Sequence, residues 1–358
     1  MDNPYQRLAE RLNTIPNGYP ATPEGLELEI LRRIFTPEEA ALAAQLTLTL
    51  ETASQVAQRL GRDPGETRTL LKTMVRKGQI DTRPLEKELG FRLMPFIVGI
   101  YEAQVGNLDR GLADVFERYY KQALGAALSM QPAIHRVVPI GASVKVDMEI
   151  RPYESVADLV AGAKAWGVLD CICRKQKSLL GQACGHPIDV CMGLSAMPNY
   201  FDHNPVIRAV SQDEAMDTLR RAAQAGLVHS LSNYQRGLWY ICNCCTCSCG
   251  ILRGISELGI ANAVARSAFI NQVDTDLCQG CELCVDHCPF HALRMADGLA
   301  QVEDGRCVGC GVCAAACPDG ALALVRRPTA EAEIPMGSIK DWMIARATQR
   351  GMDLSELL

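Results

Sequence analysis

Seventeen cysteines lie between Cys171 and Cys317 of a 358-residue chain, and none precedes them. Eight form a repeat. Cys278-x2-Cys281-x2-Cys284-x3-Cys288-Pro289 returns as Cys307-x2-Cys310-x2-Cys313-x3-Cys317-Pro318, followed by the similar segments His291-Ala292-Leu293 and Gly320-Ala321-Leu322. With two residues between neighbours, three thiolates of one tight loop wrap a single inorganic centre while the loop N–H groups point at its sulfurs. A fourth thiolate cannot come from the same loop without strain. This is the chemistry of 4Fe-4S ligation. Gly280, Gly309 and Gly311 permit a loop that passes close to a cluster, and Pro289 and Pro318 turn the chain away afterwards. Two four-cysteine zinc sites are the alternative, disfavoured because zinc ribbons separate their paired cysteines widely.

The other nine cysteines fall into two groups: Cys171, Cys173, Cys184 and Cys191, then Cys242, Cys244, Cys245, Cys247 and Cys249. Five thiols in eight positions make no sense as core packing. On an extended strand Cys245, Cys247 and Cys249 would share one face and Cys242 and Cys244 the other. All nine are candidate ligands of one or two further 4Fe-4S clusters. The first would draw on Cys173, Cys184, Cys191 and one cysteine of the second group; free thiols or a zinc site are the alternative for some. Arg174, beside Cys173, reads either as a hydrogen-bonding charge partner of a cluster or as a surface arginine. His186, between Gly185 and Pro187, reads as a turn histidine, with ligation of the Rieske kind as its other reading.

An odd number of cysteines in a large chain is a poor disulfide framework. The first residues, Met1 to Arg7, show no basic stretch ahead of an apolar core, so no export signal is expected. A reducing cytoplasm and metal ligation fit instead. Apolar residues at 48% and charged residues at 22% fit a folded globular chain. A net charge of −5 argues against a chain built around a polyanion. The longest apolar run, Leu93 to Tyr101, is far short of the roughly 18–20 residues that span a membrane. There is no Gly-x-Gly-x-x-Gly after a strand, no phosphate loop and no nucleophile–base pair, so substrate chemistry of the chain's own is not expected.

The elements that must position these residues give an α+β multidomain reading. Residues 1–90 hold an irregular leader and a winged-helix-like domain. Apolar residues recur at helical spacing from Leu26 to Phe35; Thr36-Pro37-Glu38-Glu39 starts a helix with a capping box; Thr52 caps another through Leu60; Asp63-Pro64-Gly65-Glu66 opens a third that stops at Gly78, and a hairpin follows Ile80. Residues 91–165 are a connecting region, helical over 91–130, with strands at Val137–Ile140 and Val144–Ile150 and a helix from Ser155 to Trp166. A mixed α/β cysteine-rich domain spans 166–270, with a helix from Ser211 to Gly226 and strands at Leu227–Ser230 and Leu238–Ile241. A two-cluster ferredoxin-like domain spans 271–326, and 327–358 is a polar tail with an amphipathic stretch from Ile339 to Thr348.

The doubled motif resembles the bacterial two-cluster ferredoxins, in which the last cysteine of each motif serves the other cluster. That resemblance implies Cys278, Cys281, Cys284 and Cys317 on one 4Fe-4S cluster and Cys307, Cys310, Cys313 and Cys288 on the second. The wider chain resembles a group of 4Fe-4S binding, ferredoxin-type proteins of anaerobes. These carry a winged-helix-like N-terminus, a Cys-x-Cys-Arg…Cys-x-His-Pro…Cys segment and an Asn-Cys-Cys-x-Cys run. The resemblance rests on Glu214-Ala215 through Gly226-Leu227-Val228-His229 and on Ile241-Cys242-Asn243-Cys244-Cys245. It implies electron transfer and names no partner or reaction; the favoured reading of the chain is single-electron transfer between a low-potential donor and a redox enzyme partner, by a non-catalytic carrier or an oxidoreductase subunit. The rival reading is a redox-sensing transcriptional regulator that binds DNA. Arg62, Arg68, Lys72, Arg76, Lys77 and Arg83 outnumber Asp63, Glu66 and Asp81 by three, a modest surplus that equally suits a solvated face. A third reading is an iron–sulfur oxidoreductase with an open cluster site.

Overall fold

The computed structural model describes residues 3–86, 88–204, 206–328 and 332–352. It is a mixed α/β structure with fourteen α-helices and four sheets among the described residues. The chain divides into two compact units, one of residues 1–130, 178–182 and 343–358, the other of residues 131–177 and 183–342.

The first unit is cysteine-free. It runs α1 (Pro4–Asn13), α2 (Leu26–Ile34), α3 (Pro37–Ala43), β1 (Glu51–Thr52), α4 (Ala53–Leu60), α5 (Pro64–Arg76), β2 (Asp81–Pro84), β3 (Leu89–Arg92), α6 (Arg110–Tyr119) and α7 (Gly125–Ser129). Three of its helix starts are written into the sequence. Thr36 and Glu39 close a capping box on α3, Thr52 and Gln55 close one on α4, and the Asp63 carboxylate accepts from the Glu66 N–H on α5; each such cap is worth about 1 kcal/mol. β1 and β2 flank β3 in an antiparallel three-stranded sheet. The expected helix over 91–130 starts late. Residues 89–92 complete the sheet, Pro95 lacks the N–H a helix needs, and regular helix begins only at Arg110. The core behind it is aromatic, with Tyr101 stacked on Phe116 at 3.7 Å and Tyr19 against Phe96 at 4.5 Å.

The second unit holds every cysteine. Its elements are β4 (His135–Val138), α8 (Val156–Gly162), β5 (Ala165–Leu169), α9 (Ile172–Leu179), β6 (Cys191–Ser195), β7 (Arg208–Val210), α10 (Gln212–Gln224), β8 (Val228–Ser232), β9 (Tyr240–Cys244), α11 (Arg253–Ser256), β10 (Val264–Ala265), β11 (Phe269–Val273), α12 (Leu283–Asp286), β12 (Leu293–Ala296), β13 (Leu299–Val302), α13 (Val312–Ala315) and β14 (Leu322–Arg326); the last described helix, α14 (Ile339–Gln349), has most of its residues in the first unit. Seven strands form one sheet in the order β10-β4-β8-β9-β6-β5-β7, antiparallel except for β10 on β4. Helices α8 and α10 bury Val156, Val160, Ala215 and Leu219 against Val138, Val168, Met192, Leu231 and Ile241 of the sheet. Each such side chain contributes roughly 1.5–3 kcal/mol. β11 pairs with β14 and β12 with β13, framing the cysteine repeat.

Three expectations change here. Val144–Ile150 is not a strand: only Val144 bridges, to Leu324, after which Met148 N–H turns back to Lys145 O and Val146 is 96% exposed. Pairing with β14 ends with the Lys145 N–H to Leu324 O at 3.0 Å, before the alternation can form a strand. The helix expected to reach Trp166 ends at Gly162, and Trp166 lies in β5. β9 stops at Cys244, so Cys245, Cys247 and Cys249 sit in turns rather than on one strand face.

Candidate metal centres

Within the repeat, the two copies place equivalent backbone in equivalent shapes. Gly280 and Gly309 both take the left-handed conformation, at φ +68° and +71°. A Cβ at either would collide with backbone, Gly298 O in one copy and Phe269 O in the other. The last cysteine of each copy accepts a backbone N–H from four residues on: Ala292 N–H to Cys288 Sγ at 3.2 Å, Ala321 N–H to Cys317 Sγ at 3.3 Å. Asn271 Nδ2 adds a bond to Cys313 Sγ at 3.2 Å.

The cysteines sort across the copies. Cys278, Cys281, Cys284 and Cys317 line one cavity of about 320 Å³, counting its open side. Burial pushes the Cys284 thiol up, and Cys278, Cys281 and Cys317 add to it. In the other set, burial pushes Cys310 up to about 12, with Cys288 and Cys307 beside it. Cys313 is raised by burial and then by Cys310, Cys288 and Cys307, with a further contribution from Cys284, so the two sets adjoin. Four thiols around a void, fed by N–H donors, suit an anionic cluster held by four thiolates. Residues 270–318 match the family model of a 4Fe-4S dicluster domain. This stretch is a ferredoxin-type 4Fe-4S domain. No curated protein and no solved structure matches the chain.

The ferredoxin-type domain is graded in exposure. Cys281 is exposed and Cys278 half-buried, with Leu277 and Leu283 open to solvent beside them, whereas Cys288, Cys307, Cys310 and Cys313 are all buried. The buried side is docked on the large sheet's own loops. Ile140 N–H donates to Cys310 O at 3.0 Å and Ser143 Oγ to Gly311 O at 2.8 Å.

Upstream of the domain, the sheet collects the remaining thiols. Leu169 pairs with Cys191 across β5 and β6, Met192 with Ile241 across β6 and β9, and Ser230 with Cys242 across β8 and β9. The end of β5, the start of β6 and the end of β9 therefore lie side by side. Six thiols form a closed ring there: Cys171 next to Cys173 and Cys191, Cys191 to Cys242, Cys242 to Cys244, Cys244 to Cys249, and Cys249 back to Cys173. Hydrogen bonds from their neighbours hold Cys171 well below the ordinary thiol range and Cys244 at about 7. The partners that donate them, Cys173, Cys191, Cys242 and Cys249, are pushed up.

The other three upstream cysteines belong elsewhere. Cys184, Cys245, Cys247 and His186 bring their ligand atoms within 4.8 Å of one another. The structure thus does not bring Cys184 together with Cys173 and Cys191 as the spacing suggests, because Cys184 sits in the loop before β6 and faces the turn after β9. Burial raises the Cys184 thiol, but hydrogen bonds from Ser248 and the His186 backbone outweigh it and bring it to about 6. Burial pushes Cys245 up to about 12.

Arg174 lies between these sets and is not a surface residue: it is 4% exposed. Nη1 donates to Asn243 O at 3.0 Å and approaches Cys245 Sγ at 3.8 Å. Nε and Nη2 have no hydrogen-bond partner among the described residues. Despite burial, the thiols of Cys171, Cys191 and Cys245 hold its affinity for the proton above the usual value. A buried guanidinium with spare donors costs several kcal/mol unless an anion answers it. The thiols of Cys171 and Cys191 on the ring side and of Cys245 on the other are the groups around it that can carry that charge.

Sequence reasoning missed the polar side chains behind the ring. Ser232 Oγ donates to Tyr240 Oη at 2.9 Å, Tyr240 reaches His135 Nε2 at 2.8 Å, His135 Nδ1 lies 3.3 Å from Ser230 Oγ, and Ser230 Oγ lies 3.6 Å from Cys244 Sγ. Donors can run in one direction from Ser232 to the thiol. Burial holds His135 neutral, down to about 4. Asn243, fully buried, bonds His229 and Val190 O with its side chain. Its place between Cys242 and Cys244, facing away from both, is the one sequence signal that marks it.

Proposed function

We propose that this chain is an iron–sulfur electron-transfer protein that passes single electrons between a low-potential donor and a redox enzyme partner through three 4Fe-4S clusters. Cys278, Cys281, Cys284 and Cys317 would hold the first, Cys307, Cys310, Cys313 and Cys288 the second, and the six-thiol ring the third. A 4Fe-4S cluster takes up and returns one electron at a potential set by its surroundings. The observation that carries the reading is the grading of the sites within one compact unit. A partly exposed thiol set, with Cys281 open to solvent, adjoins a buried one, and a third set sits on the sheet that the buried set docks against. The chain's own residues would do the tuning: the N–H groups of Ala292 and Ala321 and the Asn271 amide on the ferredoxin side, Arg174 and the Ser230–His135–Tyr240 relay on the ring side.

The test is iron and acid-labile sulfide on anaerobically purified full-length chain, with the spin count after dithionite reduction. About twelve of each and three reducible spins are expected, four irons to a cluster. About eight, or clusters that take up no electrons, would overturn the third site or the carrier role respectively. No helix among the described residues is long and apolar enough to cross a membrane, and a cytoplasmic, anaerobic setting suits thiol-held clusters.

The element order α3-β1-α4-α5-β2-β3 supports a winged-helix reading of the first unit. Used as a protein-docking module, it would present the carrier to its partner. DNA binding is favoured by Arg68, Lys72 and Arg76 lying exposed on one side of α5, and disfavoured by the ion pairs of Arg62 with Glu38, Lys77 with Glu39 and Arg83 with Asp81. A gel shift of oxidised and reduced protein at physiological salt decides it, since redox-dependent, sequence-specific retardation would make the chain a regulator.

A further inference from the structure

The upstream thiols divide into the six-thiol ring and a compact set of four donors, Cys184, His186, Cys245 and Cys247. In a tetrahedral site with metal–sulfur bonds of about 2.3 Å and a metal–nitrogen bond of about 2.0–2.1 Å, the donor atoms stand roughly 3.5–3.8 Å apart. A cubane interposes four irons and four sulfides, so its thiolates must be held much further apart. Cys184 Sγ lies 4.0 Å from Cys245 Sγ, and Cys247 Sγ lies 3.9 Å from His186 Nδ1. All four donors fall within 4.8 Å. That is the span of one ion.

We propose that Cys184, His186, Cys245 and Cys247 hold a single tetrahedral zinc ion, separate from the iron–sulfur sites. Three thiolates and a neutral imidazole give the zinc-loaded site a charge of about −1. The buried guanidinium of Arg174 stands 3.8 Å from Cys245 Sγ to answer it. Ser248 Oγ, 3.5 Å from Cys184 Sγ and 3.9 Å from Cys247 Sγ, supplies an O–H to the thiolates. Thiolate and imidazole ligands in a tetrahedron favour zinc among the common divalent ions. Four protein ligands leave no open position, so the ion's work is structural. It clamps the loop that carries Cys184 and His186 to the turn that carries Cys245 and Cys247. Cys247 is exposed, which gives the ion a route in from solvent.

The inference does not depend on the electron-transfer reading, and its test is a zinc count. Full-length chain, purified anaerobically and dialysed against a chelator, is expected to retain about one zinc. Its zinc-edge X-ray absorption should fit three sulfurs at about 2.3 Å and one nitrogen at about 2.0–2.1 Å. Cys247→Ser and His186→Ala should lower retained zinc at least tenfold while iron, sulfide and far-UV dichroism stay at wild-type values. His186→Cys should keep the zinc and shift the fit to four sulfurs. Absence of zinc from the wild type, zinc unchanged in both loss variants, iron without sulfide in its place, or loss of about four irons on Cys247→Ser would each overturn the assignment. The last would make the site a cluster site.

Discussion

The ferredoxin-type domain and the six-thiol ring gather cysteines in opposite ways. In the domain, three thiols of each set come from one loop of seven residues, and only the fourth crosses between copies. In the ring, the thiols span residues 171–249, and neighbours in space come from four separate segments that only the sheet brings together. The first site is written into local geometry; the second exists only once β5, β6, β8 and β9 are paired. A site of the first kind should survive damage to the sheet core, whereas a site of the second kind should not.

The largest effects test that contrast directly. Cys310→Ser removes a buried thiol of the domain and should cost about four irons, leaving the ring's reduced spectrum intact. Ile241→Ala leaves all seventeen thiols in place but empties a fully buried position on β9, at a cost of roughly 2–5 kcal/mol. It should lower iron at the ring while the domain keeps its own. Equal loss from both regions would break the comparison. Serine substitution at each ring cysteine in turn sharpens it: four of the six should lose iron if a cubane sits there, and loss at all six would mean a larger cluster.

The same contrast explains what could be read from the residues alone. The eight repeat cysteines, the glycines that bend their loops, and the caps of α3, α4 and α5 are local signals; Gly280 and Gly309 take the left-handed turn and the three caps form at the expected residues. The partition of the other nine thiols was not legible. Cys184 and Cys191 are seven residues apart yet serve different sets, whereas Cys173 and Cys249 are neighbours across more than seventy residues. Sheet order decides that, and periodicity carries no sheet order. His135 is invisible for the same reason: its partners Ser230 and Tyr240 reach it only through the β4–β8–β9 pairing. The alternating stretch Val144–Ile150 is the converse, a strand pattern whose pairing with β14 ends after one bridge, where the chain turns at Lys145–Met148.

Behind the ring, His135 predicts a pH effect of intermediate size. Its folded pKa of about 4 lies below the ordinary 6.5 because burial disfavours the charged ring. The unfolded chain therefore binds the proton first. The contribution is complete above about pH 6.5, shrinks as pH falls and is gone by about pH 4, for a total of about 3 kcal/mol. The thermal midpoint should fall across that window, and His135→Asn should flatten the slope; an unchanged slope would remove His135 from the account. Arg174→Gln, smaller again, takes a buried cation from beside the ring. A unit charge at about 8 Å in an effective dielectric of about 20 is worth about 2 kcal/mol, or about 90 mV for one electron. The ring's potential should drop by that order in a redox titration followed by EPR, with the domain's potentials nearly still. A drop shared equally by both regions would place Arg174's charge elsewhere than the ring.

The smallest effect belongs to the exposed side of the domain. Asp274, Asp276, Glu282, Asp286 and Asp319 are all exposed around the half-open set of Cys278 and Cys281, whereas the ring has the buried guanidinium of Arg174 beside it. An acidic rim attracts cationic redox partners, and that attraction fades as salt shortens the reach of charge to about 8 Å at physiological ionic strength. Reduction by a cationic viologen radical should therefore be a few-fold faster at low salt than at 0.5 M, and faster than reduction by a neutral mediator of similar potential. Glu282→Lys with Asp286→Lys should erase most of the difference. Rates indifferent to salt and to the reversal would mean that electrons reach the chain at another face, and would invert the direction from exposed domain to buried ring on which the comparison rests.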